Sequence, residues 1–543
     1  MTKRYVVGLV FAGMGLASLA IGCGADEETV QEVGALLPAT QVARQIAPLS
    51  GSLTGSARPL LRWTGPGVEL VQLCSDRDCR HLLSSFAATG AEGRPSRPLP
   101  PGVAYWRLLA RGHHGFTATP AWELFVSGGS GHGGSAVANR GFRYDADGDG
   151  FADAGVRAQN GDAATDVLHV FSGGPHGLRQ ARDTMLTLDT SHFGVGAAAA
   201  GDTNGDGFGD FAVADGRGVV VYGGSPSGPG TTPLTVLPVS AGANAFSFGF
   251  ELAGLGDVNG DGYGDLAVAD GSQMVWVYLG GPNGLATVPA WVLDSSASQR
   301  VAHLMTACDC NGDGYGDLVT IDSGSGTDPV GFRFFRGGAG GLEDPGAGTF
   351  VERPAFPQGT AGDVDGDGVM DLVTSEGTTL VLFRGGPGFP GSPIQTIAVA
   401  ALAAPLQLGD FDGDGAFDLA ATNSTATSNM FFTDDRIDLY RGGPSGLGTT
   451  PVRMLQETAV LPDNQLNFGI RLGNADFDGD GREDLLVGAP PPFPTPFFDT
   501  SASVVFVFEG AAHGLVAPKP APRLDGTPGF GDEVSAGGPQ SGP

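Results

Sequence analysis

Asp257-Val258-Asn259-Gly260-Asp261-Gly262-Tyr263-Gly264-Asp265 decides the fold, because this nine-residue loop recurs seven times along the chain. The pattern is Asp-x-(Asp/Asn)-Gly-Asp-Gly-x-x-Asp. Positions 1, 3, 5 and 9 are filled in every copy. Loop 1 has Asp145, Asp147, Asp149 and Asp153; loop 2 has Asp202, Asn204, Asp206 and Asp210. Loop 3 has Asp257, Asn259, Asp261 and Asp265; loop 4 has Asp309, Asn311, Asp313 and Asp317. Loop 5 has Asp363, Asp365, Asp367 and Asp371; loop 6 has Asp410, Asp412, Asp414 and Asp418. Loop 7 has Asp476, Asp478, Asp480 and Asp484. Successive loops start 57, 55, 52, 54, 47 and 66 residues apart, a period that points to a repeat architecture.

The donor set suits calcium, a hard cation that takes six to eight oxygens. Positions 1, 3 and 5 place carboxylate or amide oxygens around one point, and position 9 supplies a closing carboxylate. Position 6 is Gly in every copy, as a sharp turn requires. Position 7 lends only its backbone carbonyl, so its side chain varies from Phe151 to Arg482. The loop resembles the front half of an EF-hand loop, without the glutamate at position 12. Asp-Gly clusters also make plain turns, but seven complete copies favour metal. Up to seven Ca2+ are expected. The loops hold 25 of the 59 acids, and seven Ca2+ would move the net charge from -30 to -16.

Each loop leads into a short apolar strand, such as Leu266-Ala267-Val268 or Leu372-Val373-Thr374. A second strand then runs into a Gly pair, as in Val275-Trp276-Val277-Tyr278-Leu279-Gly280-Gly281. Helical periodicity is absent. Four short strands in about 54 residues make one propeller blade. Phe193-Gly194, Phe248-Gly249 and Phe468-Gly469 precede loops, and Gly488-Ala489-Pro490 follows one. These residues resemble the FG-GAP repeat of integrin α-subunit propellers and their bacterial relatives. The fold expected is all-β: a seven-bladed β-propeller over residues 130–543, preceded by a small β-sandwich. Phe530-Gly531-Asp532-Glu533-Val534-Ser535-Ala536-Gly537-Gly538 repeats the lead-in seen at Phe248 to Gly256 without a loop after it. It is expected to complete the first blade, whose own loop lacks a Phe-Gly lead-in; a frayed tail is the alternative.

Residues 45–128 lack the loop. Short alternating strands around Trp63, Trp106 and Trp122 suggest a β-sandwich that resembles a fibronectin type III module. Its tryptophans read as core rather than a carbohydrate platform. Lys3 and Arg4 precede an apolar run, and Ala20-Ile21-Gly22-Cys23 follows. This resembles the lipobox of bacterial lipoproteins, with Ala20 where Leu is usual; an ordinary secretory signal is the alternative. Residues 1–22 are then a signal peptide, Cys23 the lipid attachment and 23–44 a flexible tether. The implied location is exported and membrane-anchored, at an outer membrane or cell surface. Cys74 and Cys79 are candidates for a disulfide, while Cys308 and Cys310 suit a bond or two thiols equally.

A net charge of -30 argues against nucleic acid, whose phosphates need a basic surface. The nine histidines are scattered, and no nucleophile elbow or phosphate-binding Gly-Lys-Ser/Thr loop occurs, so no enzyme is expected. The favoured reading is a monomeric surface protein in adhesion or in protein or glycan binding, held to the membrane by lipid alone. The resemblance implies partner binding on the face away from the calcium loops. There, Phe431, Phe432, Phe493, Phe497 and Phe498 sit in two long loops of adjacent blades and form a candidate ligand patch. The alternatives are a propeller-scaffold hydrolase or lyase on polysaccharide or phospholipid, and a purely structural envelope protein.

Overall fold

Seven antiparallel four-stranded sheets follow one another along the chain in a computed structural model of the protein. The structure describes residues 43–126 and 144–535. It leaves out short breaks and the longer stretches 159–164, 190–195, 295–300, 323–328, 427–431, 457–467, 490–503, 516–523 and 526–532. No helix occurs among the described residues. The expected signal peptide, Cys23 and almost all of the tether fall outside them, as do Phe431, Phe493, Phe497 and Phe498. Of Phe432 only the backbone is described, at the start of the strand Phe432–Tyr440.

Blade 3 shows why these residues form these sheets. Its strands are Glu251–Gly256, Asp265–Ala269, Met274–Tyr278 and Trp291–Asp294. Leu252 faces Val268, Val268 faces Trp276 and Trp276 faces Val292 across the ladders. Alternate side chains leave opposite faces of a strand. Leu266, Val268, Trp276 and Tyr278 accordingly pack on Ala212, Val219 and Val221 of blade 2. Ala267, Ala269, Val275 and Val277 pack on Leu304, Leu318 and Phe335 of blade 4. Both faces of a blade are buried, so its strands read as continuous apolar runs rather than as alternating ones.

The first strands line up in a closed circle. Ala197–Gly201, Glu251–Gly256, Val301–Cys308, Gln358–Gly362, Leu402–Gly409, Arg471–Ala475 and Glu533–Ser535 each lie beside the next, and the last lies beside the first. Glu533–Ser535 pairs antiparallel with Ala154–Ala158 in the register Gly155↔Ser535. The C-terminal segment therefore completes blade 1, as its likeness to the lead-in at Phe248 implies. It joins a sheet whose other strands begin nearly four hundred residues earlier.

The N-terminal residues form two sheets over a common core. One holds Arg44–Ala47, Leu61–Thr64 and Glu92–Gly93; the other runs Ser52–Thr54, Trp122–Val126, Gly102–Gly112, Val68–Cys74, Leu82–Ala87. Trp63, Trp106 and Trp122 are all buried between them, and Trp106 meets Trp122 edge-on with centroids 6.0 Å apart. They serve as core, with no ring offered to a sugar. Arg44 already belongs to the first strand, one residue before the expected start of the domain at 45. Cys74–Cys79 and Cys308–Cys310 are both disulfides.

Candidate metal centres

Loops 2 to 7 each join the first and second strands of their blade, and loop 1 leads into the second strand of blade 1 while bonded to loop 7, so the seven loops share one face of the ring. Position 6 takes φ between 87° and 96° in all seven, from Gly150 to Gly481, a region that a side chain resists. That turn aims successive backbone N–H groups inward. In loop 3, Asp257 accepts from Gly260 and Asp261 through Oδ1 and from Gly262 through Oδ2, at 2.6–3.0 Å. Asp309 accepts likewise from Asp313 and Gly314.

The loops are also fastened to one another. Gly264 N donates to Asp202 O, Gly316 N to Asp257 O and Ala152 N to Asp476 O, at 2.8–3.3 Å. The last of these joins loop 1 to loop 7 across the seam. Seven further bonds run from the Gly-rich end of each third strand to position 2 of the preceding loop, as Gly281 N to Thr203 O at 3.0 Å. One glycine of the pair follows from this close approach: a Cβ on Gly280 would lie 2.3 Å from Gly264 O.

Position 9 does more than the sequence implies. Asp265 is fully buried; its Oδ1 accepts from Gly280 N and its Oδ2 from Val258 N, both at 2.8 Å. Asp153, Asp210, Asp317, Asp371 and Asp484 repeat both bonds, and Asp418 repeats the first with Gly442 N. This carboxylate therefore clamps the loop to the third strand, in addition to facing the other loop acids.

Crowded and desolvated carboxyls hold their protons. Burial, with the neighbouring loop acids, pushes Asp145, Asp210, Asp363 and Asp418 up to about 8 and Asp257, Asp309 and Asp371 up to about 7. Asp153, Asp265, Asp317 and Asp484 are raised well above the usual carboxylate range by the same burial. A divalent cation among these oxygens reverses that preference. The residues fit one. Ligand oxygens of Asp145, Asp147 and Asp153 lie within 4.8 Å of one another, as do those of Asp363, Asp365 and Asp371. So do those of Asp410, Asp412 and Asp414, and of Asp476, Asp478 and Asp480. Asp363 Oδ1 is buried with no hydrogen-bond partner. All donors are oxygens, as calcium prefers. Loops 2, 3 and 4 put Asn204, Asn259 and Asn311 at position 3, where the amide oxygen takes the carboxylate's place.

Sequence reasoning missed the partners of these acids. Arg179 pairs with Asp149 at 3.3 Å, Arg441 with Asp412 at 2.6 Å and Asp414 at 2.9 Å, and Arg482 with Asp480 at 2.7 Å. Arg384 pairs with Asp365 and lies 3.7 Å from Asp367. It also missed the N-terminal domain, which sits on the loop face. Arg77, inside the Cys74–Cys79 turn, reaches Asp202 Oδ2 at 3.1 Å, Gly205 O at 3.1 Å and Gly262 O at 2.8 Å. It stacks on Tyr263 of loop 3. Arg44 donates to Asp313 O, Ser50 to Gly262 O and Arg62 to Asp367 O. Glu123 is buried beside Asp202, and burial together with that neighbour's charge pushes its carboxyl well up. Nothing in the sequence around Arg77 marks a contact with residues 125 positions away.

Residues 257–320 and 363–421 match the FG-GAP-like repeat, and residues 468–508 match the FG-GAP repeat. The chain is 35% identical to integrin alpha-PS2 of Drosophila melanogaster over 29% of its own length. It is 38% identical to integrin alpha-IIb of Mus musculus over 22%. It spans only 13% of the length of either relative. Among solved structures, an Agrocybe aegerita lectin specific for terminal N-acetylglucosamine aligns at a TM-score of 0.41 and 16% identity. That alignment covers 68% of this chain and 90% of the lectin. The Dos1 propeller aligns at 0.34 and 10% identity, over 74% of this chain and 94% of its own. Scores this low say nothing about a ligand. The matched stretches hold loops 3 to 7 with their flanking strands, so the chain carries FG-GAP repeats in a β-propeller fold.

Proposed function

We propose that the chain is a calcium-binding propeller of the cell surface that acts in adhesion, by holding a protein or glycan ligand. The observation that carries this is the set of seven oxygen-only loops whose buried acids call for a cation. Calcium here is structural: it fixes loops that tie neighbouring blades together, and it leaves the rest of the ring free to present a rigid surface. The N-terminal domain occupies loops 2 to 5 through Arg44, Ser50, Arg62 and Arg77. Ligand contact is therefore assigned to the opposite face, where the turns between second and third strands emerge and where the two Phe-bearing loops begin. Cys23 carries the lipid that holds the protein at the membrane. Likeness to integrin α-subunits supports adhesion as the activity.

The test is capture of the full chain on arrays of surface proteins and glycans, in millimolar CaCl2 and again in excess chelator. Specific capture that chelation abolishes supports the reading. Capture indifferent to chelation contradicts the calcium role, and release of shortened glycan products would make the chain an enzyme instead.

A further inference from the structure

The seven loops differ in composition in a way that their surroundings cancel. Loops 1, 5, 6 and 7 carry four aspartates; loops 2, 3 and 4 carry three and an asparagine. Each four-aspartate loop has one arginine within ion-pair distance of its position-3 or position-5 acid: Arg179, Arg384, Arg441 and Arg482. In loops 2 and 3, the asparagine amide donates to the position-5 acid instead, Asn204 to Asp206 and Asn259 to Asp261 at 2.9 Å. Asn311 bonds Asp313 in loop 4. Counted as formal charge, four aspartates with an arginine equal three aspartates with an asparagine.

The arginines come from different places in the repeat. Arg384 and Arg441 stand just before the Gly pair, Arg179 follows it, and Arg482 is position 7 of the loop itself. One inherited contact would keep one position, so what recurs is the charge. Arg336 is the informative exception. It stands where Arg384 and Arg441 do, but in an asparagine loop, and it donates to Phe389 O rather than to a carboxylate of its loop. At loop 2 the N-terminal domain adds Arg77, which pairs with Asp202, and Glu123, whose carboxyl burial pushes well up; at loop 4 it adds Arg44 close to Asp309 and Asp313.

We infer that Arg179, Arg384, Arg441 and Arg482 set calcium affinity: each offsets the fourth aspartate, so that loops 1, 5, 6 and 7 meet the ion with the formal charge of about -3 that loop 3 carries. The arginines touch outer ligands and leave positions 1 and 9 alone. They lower affinity toward that of loop 3, and these five sites fill over one narrow range of calcium. This rests on the calcium reading above.

The experiment is calorimetric titration of the full chain with CaCl2. Wild type should give at least five sites in one unresolved class. The variant Arg179→Gln, Arg384→Gln, Arg441→Gln, Arg482→Gln should bind four ions roughly three- to tenfold more tightly, with three unchanged. That range follows from removing one partly screened charge a few Å from a divalent ion. Asn204→Asp, Asn259→Asp, Asn311→Asp should show the converse split, three tightened and four unchanged. Equal or weaker binding by the arginine variant would overturn the inference, because the arginines would then be holding loop shape. Should that variant fail to melt cooperatively in calcium, Arg441→Gln alone, at a half-exposed side chain, reads one site with the same required sign. No calcium binding by wild type would instead remove the functional reading itself.

Discussion

Replacing Asp265 by Ala separates the two tasks of the position-9 carboxylate. In the structure it satisfies two buried N–H groups on different segments, Val258 at the start of loop 3 and Gly280 at the end of the third strand. Truncation leaves both donors orphaned. Each costs about 1–3 kcal/mol, so the clamp is worth roughly 2–6 kcal/mol before relief of the carboxylate's own desolvation. In a folded unit of about 400 residues, unfolding entropy converts this to a fall of roughly 2–7 °C. The fall should appear in excess chelator, where no metal contributes. Asp261 is the control. It sits at position 5 and accepts only from Tyr263 N and Asn259 Nδ2 within its own loop. Asp261→Ala should therefore lose calcium stabilisation while melting within about 1 °C of wild type in chelator, as surface changes do. Scanning calorimetry of both variants, with calcium and with chelator, decides it. Equal losses in chelator, or none for Asp265→Ala, would refute the clamp.

Three other outcomes follow from the geometry. The loop acids have pKa values raised on folding, so their contribution is fully present below the unfolded value near 4 and is lost as pH rises through about 7–8. Metal-free protein should melt higher at pH 5.5 than at pH 8.5, while the increment from calcium grows over the same window; the reverse order in chelator would contradict the raised values. Deletion of residues 526–543 removes the strand Glu533–Ser535 that completes blade 1 and should lower the melting temperature; an unchanged melt would mean that the ring closes without it. Gly280→Ala places a Cβ 2.3 Å from Gly264 O and 2.8 Å from the Tyr263 side chain, so it should cost about 1–3 kcal/mol, read as a lower denaturant midpoint, and a neutral result would show that the loops can move apart.

The fold was legible because its repeat is chemical. Seven loops with invariant Asp and Gly, spaced by one blade, need no alignment to be seen, and Phe530–Gly538 announced itself as a lead-in lacking its loop. Position 9 was read only as a metal ligand, since sequence spacing cannot say that Gly280 N returns to Asp265 from the third strand. The arginines were invisible for a related reason. They occupy different repeat positions, and only folding brings Arg441 and Arg482 to equivalent places against a loop acid. The docking of Arg77 on Asp202 joins two domains, and its local sequence is that of an ordinary disulfide-closed turn. Cys308 and Cys310, equally suited to a bond or to thiols, are bonded on either side of Asp309.

The central claim is that the seven loops are calcium sites on which the ring depends. It is tested most directly by the melting temperature of the full chain in millimolar CaCl2, in excess chelator, and after chelator is replaced by Ca2+ or by an equal concentration of Mg2+. With Kd values of about 10⁻⁴–10⁻³ M, as in extracellular modules, millimolar CaCl2 adds roughly 0.4–1.4 kcal/mol per site. The account predicts a large fall on chelation that Ca2+ restores and Mg2+ does not. A melting temperature indifferent to all four conditions would contradict it, and the aspartate loops would then be turns.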